Sequence, residues 1–170
     1  MPLADFGTRF LAWLIDTVIM SVVVLGVSFP LLIWFVIRRW SWLSSWSAAN
    51  PDANPDLRPV FVNFFLPVLL FEAGIILFMM LCYYLYSVEL MYRTGQTLGK
   101  RITKIRVVPL DPAATLTRGM AAKRYLVEYV GGALLPFFNY VDGLWQLWDK
   151  PFQQTLHDKV ARTVVVKVSA

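Results

Sequence analysis

One uncharged stretch decides the fold of this chain, and it reads TVIMSVVVLGVSFPLLIWFVI from Thr17 to Ile37. As a helix rising roughly 1.5 Å per residue, it is long enough to cross a hydrocarbon core of about 30 Å. It ends at the pair Arg38-Arg39 and is longer than the apolar region of a cleavable signal peptide, about 7–15 residues. We therefore expect a membrane-spanning helix over residues 10–37.

A second apolar block runs from Val60 to Tyr86 and is interrupted by one charged residue, Glu72. Hydrophobic residues make up 58% of the chain and charged residues 16%, which is more apolar than a typical soluble domain. The sequence predicts an all-α integral membrane protein, one domain over residues 1–170, with a second span at residues 60–86. We expect residues 40–59 to form a loop between the two spans.

Positive charge is concentrated in residues 93–124, where Asp111 is the one acidic residue. Short cytoplasmic loops carry an excess of Lys and Arg, so this basic segment and the N-terminus are predicted to be cytoplasmic, with residues 38–60 on the other side. We expect the segment to contact anionic lipid headgroups. Binding of nucleic acid is not expected, because no basic motif with interleaved aromatic residues accompanies the charge.

Two short segments rich in β-branched residues follow the second span, at 102–108 and 162–168. Neither is stable alone in water, so we predict that they form a strand pair, with Thr115 or Thr117 capping a helix between them. A third apolar block, 125–148, lies between the two strands, so both of its ends must be on the same side of the membrane. Gly131-Gly132 and Pro136 interrupt this block. We favour a broken or re-entrant hairpin over a simple third span, with a cytoplasmic tail at 149–170.

Three local motifs occur along the chain: Phe6-Gly-Thr-Arg9 leading to Asp16, Gly95-Gln-Thr-Leu-Gly-Lys100, and Leu156-His-Asp158. Together they resemble the RDD family of bacterial membrane proteins, named for one arginine and two aspartates. The resemblance implies that Arg9 is the family arginine, Asp16 the first aspartate and Asp158 the second, with Asp142 as rival. It also implies a bacterial inner membrane location. For function it implies transport of an unidentified ligand, since some members look like cation/proton exchangers.

The spacing of Arg9 and Asp16 predicts that each has its own partner. They are about 10 Å apart along a helix axis, too far for a direct pair. An ionisable group inside a membrane is a functional candidate, so Asp16 is either a proton or cation site or a structural lock onto the cytoplasmic segment. Glu72 is the best candidate for a proton-carrying carboxylate, because no cation is near it in sequence.

Other chemistry is not expected. The Gly95–Lys100 motif is too short for a phosphate-binding loop, and the single His157 has no second His or Cys for a metal site. His157 is predicted to hydrogen-bond within its own turn, and Asp158 to cap the tail helix or to pair with Arg9 or the basic segment. No nucleophile–base pair is present, so neither enzyme activity nor a cofactor is expected.

The sequence therefore favours a small membrane transport component, with cation/proton exchange through intramembrane carboxylates. The alternative is a non-catalytic accessory or scaffold subunit of a larger membrane complex. Two or three helices are too few to enclose a transport path, so we expect a homo-oligomer or a larger assembly.

Overall fold

The computed structural model describes residues 1–51 and 55–168. Residues 52–54 of the predicted loop and 169–170 of the predicted tail lie outside the described residues. The chain is mostly helical, with two long apolar helices and one small two-stranded sheet. It divides into two compact units, one made of Ser21–Met79 and the other of Met1–Met20 with the chain from Met80 onward.

The first helix, α1, runs from Phe6 to Ala49 and contains Pro30. It is longer than predicted, because residues 40–49 are helical where a loop was expected. No Gly or Pro occurs between Pro30 and Pro51, and Ser41, Ser44 and Ser45 bond back to backbone carbonyls one turn earlier. The charges at residues 38 and 39 thus end the apolar run but not the helix.

The second helix, α2, is continuous from Arg58 to Thr94. Its segment Phe61–Phe65 has π-helical hydrogen bonding, because Pro67 has no N–H to donate to the carbonyl of Asn63, four residues earlier. Arg39 Nη1 donates to this carbonyl at 2.9 Å. In the same unit the rings of Phe35 and Phe71 stack with centroids 4.2 Å apart.

Both helices are long and apolar enough to cross a membrane by length and composition. The core helix of a soluble protein would pass the same test, but its apolar residues would be buried. Here most of them are exposed, Leu25, Leu70 and Leu77 among them at 58–67%. This exposure fits membrane insertion.

A small sheet forms where the two β-branched segments were predicted to pair. After α2 a short helix, α3 (Leu98–Ile102), precedes strand β1 (Ile105–Pro109), and β2 (Thr163–Lys167) pairs with β1 antiparallel, with Val107 opposite Val165. The predicted strand began too early, because residues 98–102 are helical. Residues near the N-terminus add to β2, since Ala4 N–H donates to the Val165 carbonyl at 2.9 Å.

The third apolar block is broken at residues 135–137, around the predicted Pro136, whereas Gly131-Gly132, also predicted to interrupt it, are helical. Helix α4 (Arg118–Tyr125), capped by the Thr117 hydroxyl, continues through a π-helical segment, Leu126–Gly131, and a last turn, Gly132–Leu134. Leu135 is extended and Phe137 has a left-handed backbone, and helix α5 follows at Phe138–Trp145. The tail carries a short helix, α6 (Leu156–Ala161), directly before β2.

Candidate functional site

Asp16 is held by the segment that follows α2. Its carboxylate accepts hydrogen bonds from the Tyr86 hydroxyl at 2.5 Å, the Thr97 hydroxyl at 2.5 Å and the Gly99 N–H at 2.7 Å. Lys100 Nζ lies 3.8 Å from it. The side chain is 8% exposed, so these donors replace water around a buried charge. The carboxylate thereby caps the N-terminus of α3 from another helix.

Gly99 allows this approach because it has no side chain. A Cβ atom at this position would lie 2.3 Å from the Ala12 carbonyl oxygen and 2.7 Å from Asp16 Oδ1. Gly95 ends α2 with φ +72, a backbone conformation that L side chains rarely adopt. Both glycines of the Gly95–Lys100 motif are therefore required by geometry, one by a close contact and the other by its backbone angle.

Asp158 is completely buried and binds two arginines. Arg9 Nη1 lies 3.2 Å from its Oδ2, and Arg124 Nη1 donates to its Oδ1. Asp158 also completes a capping box with Thr155 at the start of α6. All three predicted roles, the cap, the pair with Arg9 and the pair with the basic segment through Arg124, are thus present together. Arg9 and Asp16 do have separate partners, as their spacing predicts.

The charge on Asp158 is stabilised by its neighbours. Burial disfavours the ionised carboxyl, but Arg124, His157 and Arg9 outweigh it and hold the pKa of Asp158 below its ordinary value. Two arginines facing one buried carboxylate also leave a local excess of positive charge.

His157 binds Asp142, so its predicted contact within the 156–158 turn is wrong. The Asp142 carboxylate accepts the His157 backbone N–H at 2.9 Å and lies 2.6 Å from the ring Nδ1. Asp142 is 3% exposed, and this pair joins α5 to α6. Asp142 and Asp158 consequently have different partners, and Arg9 pairs with Asp158.

One cavity of about 360 Å³, whose lining combines apolar surface with charged side chains, brings most of these groups together. Its lining residues with an acidic, basic or imidazole side chain are Arg9, Asp16, Lys100, Arg124, Glu128, Asp142, His157 and Asp158. Glu72 is not among them, because it is an exposed residue of α2 in the other compact unit. The structure therefore gathers four of the five predicted site residues and leaves Glu72 apart.

Glu128 is the cavity residue that sequence reasoning undervalued. It is half-buried on the π-helical segment after α4, and its carboxylate has no hydrogen bond or ion pair with the described residues. Tyr86, which binds Asp16, also lies on a π-helical segment, Leu85–Leu90. Such segments occur frequently at functional sites.

The basic segment is less uniform than its composition suggests. Lys100 and Arg124 point inward to Asp16 and Asp158, and Arg118 pairs with Glu89 at 2.9 Å. The exposed cations of this segment that form no ion pair with described residues are Arg101, Lys104, Arg106 and Lys123. In sequence, the inward pair is indistinguishable from these surface charges.

Comparison with known proteins agrees with the motifs. Neither a curated protein nor a solved structure matches the chain. The sequence model described as the RDD family matches residues 3–162, which include Arg9, Asp16, Asp142 and Asp158. With nearly its whole length covered, the chain belongs to the RDD family.

Proposed function

We propose that the chain is a non-enzymatic transport component of a bacterial inner membrane that exchanges a cation for a proton at the carboxylates that line the cavity. The observation that carries the proposal is the Glu128 carboxylate, which lines the cavity without a hydrogen bond or ion pair to the described residues. A carboxylate without a protein partner can take a proton or a cation in turn. Exchange needs this property.

Asp16 is less suited to exchange than Glu128. Three hydrogen bonds and Lys100 already surround it, and releasing them to bind a cation would leave buried donors without an acceptor. Asp158 is similarly held between two arginines. Asp16 and Asp158 instead support a structural role. Their hydrogen bonds and ion pairs fix the N-terminal part of α1 to the segments that follow α2.

Flux through liposomes tests the exchange. With the purified chain reconstituted, we expect an imposed Na⁺ or K⁺ gradient to drive a pH change inside the vesicles. Glu128→Gln should abolish the change while leaving the fold intact, because the amide takes up neither a proton nor a cation at neutral pH. Glu72→Gln is the matched variant outside the cavity and should retain flux.

Two results would contradict this assignment. Loss of flux in Glu72→Gln alone would move the exchanging group to α2. No flux at any gradient, combined with stable copurification of another membrane protein, would reject transport. It would support the second candidate function, an accessory or scaffold subunit, which the fully paired Asp16 and Asp158 favour.

The proposed topology places both termini and the basic segment in the cytoplasm, with the broken element 125–148 re-entering from that side. The pairing of β1 with β2 supports it, because paired strands lie on one side of a membrane. The exposed cations Arg101, Lys104, Arg106 and Lys123 would face anionic headgroups. Two long apolar helices are too few to enclose a transport path, which further supports a homo-oligomer or a larger complex.

A reporter fused after Ala170 tests this topology. We expect a cytoplasm-active reporter to be active there and a periplasm-active one to be silent. The same pair of reporters inserted at Pro51 should give the reverse pattern. A periplasmic signal after Ala170 would contradict the re-entrant arrangement.

A further inference from the structure

Three aromatic side chains of α1 line the cavity as one stacked row. Phe6, Phe10 and Trp13 follow one another at helical spacing, and the centroids of neighbouring rings lie 6.1 and 5.7 Å apart. These three rings are called the aromatic row below. Each of the three residues is 36–50% exposed, so the row has free surface on which another apolar group can pack. Aromatic groups of a ligand stack favourably on such a surface.

The exposed and the buried residues of the cavity lining differ in chemistry. Apart from Asn139, the exposed ones are apolar or aromatic, namely the aromatic row together with Tyr140 and Leu144 of α5. The buried ones carry most of the charge, and they include Arg9, Asp16, Arg124, Asp142 and Asp158. A ligand that enters the cavity therefore meets apolar surface where the lining is exposed, and it meets charge where the lining is buried.

Glu128 is the lining carboxylate that a positive group can approach without displacing a partner. Asp16 and Asp158 are held by hydrogen bonds and ion pairs, and Asp142 binds His157. Glu128 is half-buried and has no such partner among the described residues. Because attraction between charges is stronger away from bulk water, a half-buried carboxylate without a partner favours a cation.

One buried carboxylate ties the aromatic row and Glu128 to each other. Asp158 binds Arg9 of α1 at 3.2 Å and also binds Arg124 of α4. Trp13 lies four residues beyond Arg9, and Glu128 lies four residues beyond Arg124, so each is about one helical turn from an arginine on the shared carboxylate. Both line the same cavity, whose volume of about 360 Å³ suits a small molecule better than a bare ion.

We propose that the cavity binds a small organic cation with one positive charge and one aromatic group, of the quaternary ammonium type. Its charge lies against the Glu128 carboxylate, and its aromatic group packs on the aromatic row. A quaternary ammonium fits this site better than a primary one, because it has no N–H groups that would need further acceptors inside the cavity.

The inference rests on the proposed function for the role of Glu128, and it names the class of cation that competes with the proton there. Binding itself does not require flux. Saturable binding without flux would reject the exchange and keep the ligand. Flux of Na⁺ or K⁺ that depends on Glu128, without binding of the organic cation, would reject the ligand alone.

Equilibrium dialysis of three probes against the purified full chain in detergent, with empty micelles as the blank, tests the ligand class. Benzyltrimethylammonium carries the charge and the ring, tetramethylammonium carries the charge alone, and benzyl alcohol carries the ring without a charge. We expect saturable binding of benzyltrimethylammonium and at least tenfold weaker binding of the other two. Each of these lacks one of the two contacts, with Glu128 or with the aromatic row.

Two substitutions in the cavity test the two contacts separately. Glu128→Gln removes the charge at nearly constant size, and Trp13→Leu removes one ring of the aromatic row but keeps an apolar side chain. Each should weaken binding of benzyltrimethylammonium at least tenfold. The matched controls are Glu72→Gln on α2 and Trp40→Leu on the part of α1 in the other compact unit. Both residues are exposed and lie outside the cavity lining, so binding should not change.

Thermal unfolding of each variant shows whether it is folded, and the comparison of probes on the unaltered chain depends on no variant. The proposal is overturned if binding of benzyltrimethylammonium does not saturate, or if either of the other probes binds as tightly. It is also overturned if folded Glu128→Gln or folded Trp13→Leu binds benzyltrimethylammonium as the unaltered chain does.

Discussion

Replacing Asp158 with asparagine is expected to destabilise the unit that contains it by about 3–5 kcal/mol, because the change leaves Arg9 and Arg124 buried without a counter-charge. Asparagine has nearly the same shape, so the effect isolates the charge from packing. The measurement is thermal unfolding of the purified protein in detergent, followed by circular dichroism and by the fraction that remains monodisperse. We expect a large fall in the unfolding temperature and poor recovery from the membrane.

Asp5→Asn is the matched control. Asp5 pairs with Lys167 at 2.6 Å, but both side chains are about half exposed. Exposed ion pairs contribute little to stability, so the unfolding temperature should change far less than in Asp158→Asn. Equal effects of the two substitutions would show that burial of the arginines does not determine the stability of this unit.

Replacing Gly99 with alanine is expected to cost at least about 3 kcal/mol, the upper end of typical overpacking effects. The new methyl group would meet the Ala12 carbonyl oxygen at 2.3 Å, and a backbone atom in the middle of a helix cannot move aside. The motif would therefore withdraw from α1 and take the Thr97 and Gly99 donors away from Asp16. Thermal unfolding in detergent measures the loss, and hydrogen exchange at the Gly99–Thr103 amides locates it.

Gly119→Ala tests the same change where space exists. Gly119 lies in α4, and its new methyl group would come no closer than 3.8 Å to the nearest side-chain atom, the Thr117 hydroxyl. Alanine favours a helix over glycine by about 0.5–1 kcal/mol, so this variant should be slightly more stable than the unaltered chain. Destabilisation of the same size in both variants would contradict the steric explanation.

The architecture follows from local patterns that the sequence displays directly. Long apolar runs, the first without a charge and the second with Glu72 alone, predicted both long helices, and β-branched segments predicted the sheet. The breaks around Pro136 predicted the interrupted third element. The C-terminal end of α1 was predicted too early. Arg38 and Arg39 end the apolar run, but charged residues do not stop a helix, and α1 continues until just before Pro51.

The site was only partly predictable, because its contacts join residues far apart in sequence. The spacing of Arg9 and Asp16 predicted that they would not pair, and it was right. No local pattern connects Asp142 with His157, or distinguishes the inward Arg124 from its exposed neighbour Lys123. Gly99 and Thr97, by contrast, could be recognised as candidate site residues from the sequence, because both lie in the Gly95–Lys100 motif.

The pairing of residues near the N-terminus with β2 sets the order in which the chain can assemble. Arg9 and Asp158 are separated by 149 positions, and Lys167 N–H bonds to the Pro2 carbonyl at 2.9 Å. A ribosome completes both long helices well before it reaches these late residues. Arg9 therefore lacks its counter-charge until the segment that carries Asp158 has been synthesised and has docked. Because this contact has a very long sequence separation, we expect it to form after both long helices and more slowly than they do.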